Sequence, residues 1–423
     1  VGNATPKARI CCLDLDTFFV SVERLFRPDL IGKPVVVGAL PGGRGVVTAA
    51  SYEVRAFGVR SGMPIAEAYR LAPNAIYLSG RHGEYGQYAG QVKGILERYT
   101  PIVRTASIDE YFLDFRQCEP MYRQEADRDG DATIERVVRQ VCQDILDEVG
   151  LPASAGIATS RPIAKMASNL AKPAGVRMVR VGEESAFVEP LPCRKWPGIG
   201  PVAEQRLRQA GIHTLGELLA AAECSSEGSL AVSVRKVVSG EADNELGRDR
   251  PAFREHDPKG LTLGSISNES TFGHDVGDLE AIADRLRSLC EKVCWRARQR
   301  NVFARTITLK LRYADFETLT RARTVKATNA ERRVLSCVKQ LFRGNYDGRR
   351  EVRLLGIALS GLEQATGQLE LPFDERARPN IGKAIDAVRE RFGYEAIRLG
   401  MDQRSSRQTQ LSAARVSTDA SSG

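Results

Sequence analysis

The chain has 423 residues, 42% hydrophobic and 27% charged, with a net charge of +8. That length exceeds one ordinary core and predicts three or four domains. No apolar run reaches the roughly 18–20 residues that span a bilayer, Val1 to Arg9 lacks a signal-peptide core, and nine cysteines without a Cys-x-x-Cys pair, beside four histidines, argue against zinc and for reduced, cytoplasmic thiols.

In chain order, residues 7–16 read as a buried strand, Ile10-Cys11-Cys12-Leu13 running into Asp14-Leu15-Asp16. Residues 17–27 carry Phe18, Val22 and Leu25 at helical spacing. Strands follow at 35–38 and 46–50, separated by the turn cluster Pro41-Gly42-Gly43-Arg44-Gly45. Residues 81–99 read as a polar, aromatic-studded helix, and 101–115 alternate like a hairpin around Ser107-Ile108-Asp109-Glu110. Residues 119–131, rich in acid and glycine, read as a surface loop. A helix over 134–149, a strand over 153–158 and a helix over 161–171, closed by Lys172-Pro173, complete this part.

Trp196-Pro197-Gly198-Ile199-Gly200 leads into a helix, then Ala210-Gly211-Ile212 and a second helix from Thr214. This pattern resembles a helix-hairpin-helix, in which Gly198, Ile199 and Gly200 would offer backbone N–H groups to a DNA phosphate. Residues 241–260 read as a linker. A β-α-β-β-α-β series follows: strand 261–272, helix 277–299, strands 303–313 and 318–326, helix 329–343 and strand 351–362. A helix near 380–398 precedes a Ser/Thr/Gln/Arg tail that reads as disordered.

Two features carry chemistry. The acids at 14–16 and 109–110 each adjoin a β-forming apolar run, and burying carboxylates there is costly without a cation or hydrogen-bonding partner. Hard divalent cations take oxygen ligands, and two-metal phosphoryl-transfer sites are built from a few carboxylates. In a regular strand Asp109 and Glu110 would point to opposite faces, so sharing a site requires a turn or bulge between them. The second feature is charge placement: residues 252–362 hold 21 Lys and Arg against 13 Asp and Glu, while the rest of the chain balances. A surplus confined to one module fits a polyanion, most simply nucleic acid.

From Ile10 to Leu362 the chain closely resembles the Y-family DNA polymerases, in the DNA polymerase IV branch. The resemblance rests on four motifs in order: Asp14-Leu15-Asp16-Thr17-Phe18-Phe19, Tyr52-Glu53-Val54-Arg55-Ala56-Phe57-Gly58-Val59-Arg60-Ser61-Gly62-Met63-Pro64, Ser107-Ile108-Asp109-Glu110 and Ala171-Lys172-Pro173. It implies an α+β multi-domain right hand: palm 7–17 and 84–173, fingers 18–83, helix-hairpin-helix thumb 174–241, linker 242–260 and a β-α-β-β-α-β little finger 261–362. Residues 363–423 would be a tail.

The resemblance also implies roles. Asp14, Asp109 and Glu110, with the main-chain carbonyl of Leu15, would hold two Mg²⁺ ions, for which Mn²⁺ can substitute. Tyr52, Arg55 and Lys172 would contact the triphosphate, with Phe18 and Phe19 at the nucleotide and Phe19 as the steric gate against ribose. Gln368-Leu369-Glu370-Leu371-Pro372-Phe373 resembles a peptide that docks on the sliding clamp, with Gln368, Leu369, Leu371 and Phe373 as contacts. The implied protein is a monomeric, low-fidelity translesion DNA polymerase without a proofreading exonuclease. It would use primer-template DNA and deoxynucleoside triphosphates in the bacterial cytoplasm, at the nucleoid.

One position departs from the family: Ala49 stands where Thr is frequent, three before Tyr52, and weaker nucleotide affinity is expected. Three competing readings are a catalytically inactive scaffold bridging clamp and DNA, a nucleotide cyclase and a polymerase V-like subunit. The intact carboxylates oppose the first. The helix-hairpin-helix and basic module oppose the second, and the Tyr52–Pro64 and Ala171–Pro173 segments fit polymerase IV better than the third.

Overall fold

A computed structural model describes residues 9–116, 118–222, 229–240, 264–364 and 381–397. The chain divides into two compact units, Val1–His256 and Asp257–Gly423. The first begins with β1 (Ile10–Leu15), α1 (Phe18–Phe26), β2 (Val35–Gly38), β3 (Val47–Ala50), α2 (Tyr52–Arg55), α3 (Ile65–Leu71) and β4 (Ile76–Leu78). It continues with α4 (His82–Leu96), β5 (Val103–Thr105), β6 (Glu110–Asp114), α5 (Glu119–Tyr122), α6 (Gly130–Val149), β7 (Ala153–Ala158), α7 (Arg161–Ala171) and β8 (Val176–Met178). Then come α8 (Glu184–Val188), α9 (Pro201–Gln209), α10 (Leu215–Ala221) and α11 (Leu230–Val238).

The sheet that positions the candidate site has the order β5-β6-β1-β7-β8, with β1 antiparallel to both neighbours. Both faces are covered, which is why β1 reads as a continuous apolar run rather than an alternation. Cys11, Leu13 and Leu15 pack in one core with Tyr85 and Val92 of α4 and Val137 and Val141 of α6. Ile10, Cys12 and Phe112 pack in another with Ile163, Ala164 and Met166 of α7. The two-residue period therefore turns Asp14 toward α7 as well. Gly156 lets that helix come close: a Cβ there would lie 2.1 Å from both Ala164 O and Ser168 N.

A smaller sheet, β3-β2-β4, carries α2 and α3 over a separate core of Val36, Val54, Ile65 and Ala68. The segment from α8 to α11 packs Trp196, Ile199, Leu215 and Leu218 into the α7-side core. Gly198 sits at φ 99°, a left-handed conformation that glycine adopts without steric cost. Gly200 caps α9, and Gly211, at φ 79°, turns the chain toward α10, which a Thr214–Glu217 capping box starts.

The second unit comprises β9 (Ser265–Val276), α12 (Leu279–Gln299), β10 (Val302–Tyr313), β11 (Thr318–Thr328), α13 (Glu331–Arg343), β12 (Val352–Gln364) and α14 (Ile381–Phe392). Its antiparallel sheet has the order β11-β10-β12-β9. Ile307, Leu309 and Leu311 bury against α12 and α13. Lys310 and Arg312 alternate with them and lie on the opposite face, across from Gly356 and Leu354 of β12. The last helix is tied to α12 by charge: Arg298 meets Asp386 at 2.5 Å, and the fully buried Arg389 meets Glu291 at 2.8 Å.

Most expected elements form within a few residues of their expected bounds. Three differences have clear causes. Residues 119–131 are not all loop: α5 occupies Glu119–Tyr122 with Pro at its start, and α6 begins early because Asp129 accepts from Ala132 N at 2.8 Å. The first strand of the second unit runs 265–276 rather than 261–272, beside β12 along its length. Short elements such as α2, α3, β4 and β8 carried too few residues to show a period. The linker 242–260 and the peptide Gln368–Phe373 lie outside the described residues.

Candidate active site

The register brings the two acidic patches together. Asp14 pairs with Glu110 on β6 and with Ser154 on β7, on adjacent antiparallel strands. Asp109 stands one residue before β6 begins, in the turn that the sequence required. Leu15 N–H donates to Asp109 O at 2.9 Å, and Ala106 N–H to Glu110 O at 2.9 Å. Glu110 therefore starts the strand while Asp109 leaves its alternation.

Each carboxylate has its own partner. Lys172 Nζ lies 2.5 Å from Asp14 Oδ1. Lys165 Nζ spans both Glu110 oxygens at 2.8 and 2.6 Å. Asp109 accepts from the hydroxyl of Ser107. Lys165 is absent from the expected set; it lies on α7, whereas Lys172 follows that helix in extended backbone (φ −63°, ψ 140°), so helical spacing does not relate the two. Among the described residues no three Asp, Glu, His or Cys side chains converge at metal-ligand distance.

The electrostatics nonetheless favour cations. Burial pushes the Asp14 carboxyl up to about 6; Lys172 opposes this, and the charges of Asp109 and Glu110 add to it. Burial also works against the Lys165 ammonium, but Glu110 outweighs it and holds that pKa above its ordinary value. Negative charge exceeds what one lysine compensates at Asp14, and the donors are hard oxygens. This set fits a divalent metal of the Mg²⁺ or Mn²⁺ kind.

The other expected residues surround this cluster. Tyr52 starts α2, with the Arg55 guanidinium over its ring at 4.9 Å and Arg55 Nε donating to Ala50 O at 3.0 Å. Burial, and then its bond to Asp16, raise the Tyr52 phenol well above its ordinary pKa. Asp16 is 1% exposed and accepts from Tyr52, Ser154 and the backbone of Ala174. Ala174 follows the cis Lys172-Pro173 bond.

Phe19 is half-buried and stacks on Tyr85, with ring centroids 4.3 Å apart, while His82 meets its edge at 5.9 Å. Tyr85 is fixed in turn by Glu23 at 2.8 Å. Phe18 is 3% exposed, and its ring packs in the core with Leu15 and Val22. Ala49 is buried beside Val20, Val35 and Phe19 and supplies no hydroxyl. Gly198 and Gly200 have open space where a Cβ would stand, which suits close approach of a phosphate to the turn.

The chain matches the model described as the impB/mucB/samB family over residues 13–169 and that of the family's C-terminal domain over 264–371. It is 35% identical to a protein named DNA polymerase IV from Dehalococcoides mccartyi (strain CBDB1), over 94% of this chain and 98% of that one. It is 37% identical to a DNA polymerase IV from Halorhodospira halophila, over 86% and 98%. Among solved structures it resembles a Y-family DNA polymerase chimera, Dbh-Dpo4(243-245)-Dbh. That match has a TM-score of 0.69 and 25% identity, and covers 84% of this chain and 99% of the chimera.

Proposed function

The chain belongs to the impB/mucB/samB family of Y-family DNA polymerases, and from that membership we propose how its own residues carry out the reaction. It is a template-directed translesion DNA polymerase that uses DNA, deoxynucleoside triphosphates and a divalent metal. The observation that carries the site assignment is the pairing of Asp14 with Glu110 across adjacent strands, with Asp109 in the turn immediately before Glu110.

Asp14, Asp109, Glu110 and the Leu15 carbonyl would hold two divalent cations, proposed as Mg²⁺, which supply activation of the primer 3′-hydroxyl and neutralisation of the triphosphate. Arg55 offers a forked guanidinium and Lys172 a compact ammonium to the triphosphate, and Tyr52 a hydroxyl. Phe19, packed against Tyr85 and His82, would be the steric gate that clashes with a ribose 2′-hydroxyl. The Gly198–Gly200 turn and the sheet face with Lys310 and Arg312 would track the duplex backbone. Synthesis of low fidelity, distributive without a clamp, follows from this reading.

The test is primer extension on undamaged and adducted templates, with the double variant Asp109→Ala/Glu110→Ala as control. Metal-dependent extension that the double variant lacks supports the assignment; no extension by the unmutated chain would falsify it. Gln368–Phe373 is proposed as the sliding-clamp peptide. Loss of clamp pull-down on changing Leu371 and Phe373 to Ala supports that, and undiminished binding sinks it. The polymerase is proposed to act as a monomer at the bacterial nucleoid. No described helix is long and apolar enough to cross a membrane.

A further inference from the structure

Asp16 is one of the most enclosed carboxylates of the first unit, at 1% exposure. Oδ1 accepts from the Tyr52 hydroxyl at 2.8 Å. Oδ2 accepts from the Ser154 hydroxyl and from Ala174 N–H, both at 2.7 Å. Its main-chain carbonyl accepts from Ser21 Oγ at 2.6 Å. These donors come from separate elements: α2, β7, the turn after α7, and α1.

The hydrogen inventory of this cluster is restrictive. A phenol carries one hydrogen, and an ionised carboxylate only accepts. While Tyr52 donates to Asp16, its oxygen offers lone pairs alone, and a phosphate oxygen also offers lone pairs alone. The two cannot bond. Arg55 and Lys172 are not so limited, because each has several N–H groups. Arg55 covers the Tyr52 ring, so a turn about the phenolic C–O bond can redirect the hydrogen while the ring stays in place. Doing so leaves Asp16 Oδ1, in a closed pocket, without that donor.

We propose that Asp16 is a latch: it competes with the triphosphate of the incoming nucleotide for the single hydroxyl hydrogen of Tyr52, and so weakens nucleotide binding. The proposal rests on the reading of Tyr52 as a triphosphate contact. Asp16 itself is a positioning residue, touching neither nucleotide nor reacting atoms.

Asp16→Asn tests it, because the amide has a forced orientation. Ala174 N–H can only donate, so the Asn oxygen must face it, and the Asn NH₂ then takes the former place of Oδ1. There it donates to the Tyr52 oxygen and frees the phenolic hydrogen. Ser154→Ala acts in the opposite sense, since it removes a competing donor and strengthens the hold of Asp16 on Tyr52.

The measurement is equilibrium binding of dCTP to the full-length protein on a primer-template that places dG opposite. The primer is dideoxy-terminated and Mg²⁺ is present, so no turnover occurs. Asp16→Asn is expected to bind dCTP about five-fold tighter, the value of roughly one net hydrogen bond. Adding Tyr52→Phe should erase that gain, and Ser154→Ala should weaken binding about two-fold.

Unchanged or weaker binding by a folded Asp16→Asn protein overturns the latch. A gain that survives Tyr52→Phe does so too, because the gain would then be structural. If Asp16→Asn does not fold, Ser154→Ala decides alone, and failure to weaken binding overturns the proposal. Failure of the unmutated protein to bind dCTP would instead remove the nucleotide site itself, a separate result.

Discussion

Lys172 Nζ lies 2.5 Å from Asp14 Oδ1, so a proposed triphosphate contact and a proposed metal ligand are paired with each other. Both are partly screened from water, at 21% and 18% side-chain exposure. The ion pair does not fully offset the cost of burying Asp14 on a sheet face shared with Glu110, and its carboxyl remains up at about 6. Burial of this carboxylate, with the charges of Asp109 and Glu110 adding to it, costs the protein stability and creates a demand for cations.

That cost predicts a pH dependence of stability in the metal-free protein. Because the folded pKa of Asp14 lies above the ordinary carboxylate value near 3.9, the folded state binds more protons between about pH 4 and 6. The contribution of Asp14 is therefore least unfavourable below pH 4 and becomes destabilising as pH rises through 6. Asp14→Asn should be more stable than the unmutated chain at pH 8 in a chelator, by about 1–2 kcal/mol. The difference should fade by pH 4. Denaturant unfolding at the two pH values checks this, and equal stability at pH 8 would contradict it.

Lys165 holds Glu110 through both oxygens while Glu110 is only 9% exposed. Lys165→Met should leave that carboxylate without its cation and lower the stability of the metal-free protein by about 1–2 kcal/mol, less than for a fully buried pair because solvent reaches the lysine. Lys165→Arg should recover most of it. Thermal unfolding in a chelator reads the effect, and an unshifted midpoint for Lys165→Met counts against the pairing.

Removing the Phe19 ring should open the sugar pocket, since the Tyr85 and His82 rings behind it lie 4.3 and 5.9 Å from its centroid. The preference for deoxyribonucleotides over ribonucleotides in Phe19→Ala should fall by roughly 10- to 100-fold, the range that a steric pocket contact supplies. Single-nucleotide insertion kinetics measure the ratio. An unchanged preference removes the steric-gate assignment.

The second unit depends on its last helix. Arg389 is fully buried against Glu291, itself 5% exposed, and its guanidinium lies 4.4 Å from the Tyr394 ring centroid. Arg389→Met removes the cation beside a buried carboxylate and should cost about 3–5 kcal/mol. The double variant Arg389→Met/Glu291→Met should restore most of that loss, because neither buried charge then remains. Chemical denaturation of the full chain distinguishes the two outcomes.

Periodicity made the long elements legible. β7 and α7 form over the expected residues, and β2 does too, because apolar spacing over six or more residues, or a turn cluster beside a short strand, leaves few alternatives. The turn before Glu110 was legible from chemistry: two adjacent acids cannot share a site from one regular strand. Lys165 was not legible from its spacing to Lys172, which lies beyond the end of α7 in extended backbone. Nor was the role of Asp16, because its donors come from residues 5, 36, 138 and 158 positions away.

The sequence by itself determined most of the long strands and helices, where the charge surplus lies and, through four ordered motifs, the family and the residues expected at its site. These depend on local spacing and residue type, which the chain order carries directly. Only the tertiary structure decided which residues pair with that set: Lys172 on Asp14, Lys165 on Glu110, and the Tyr52 hydrogen on Asp16. Strand register and the close approach of α7 over Gly156 set those partners. Both arise from long-range packing, to which no single stretch of sequence has access.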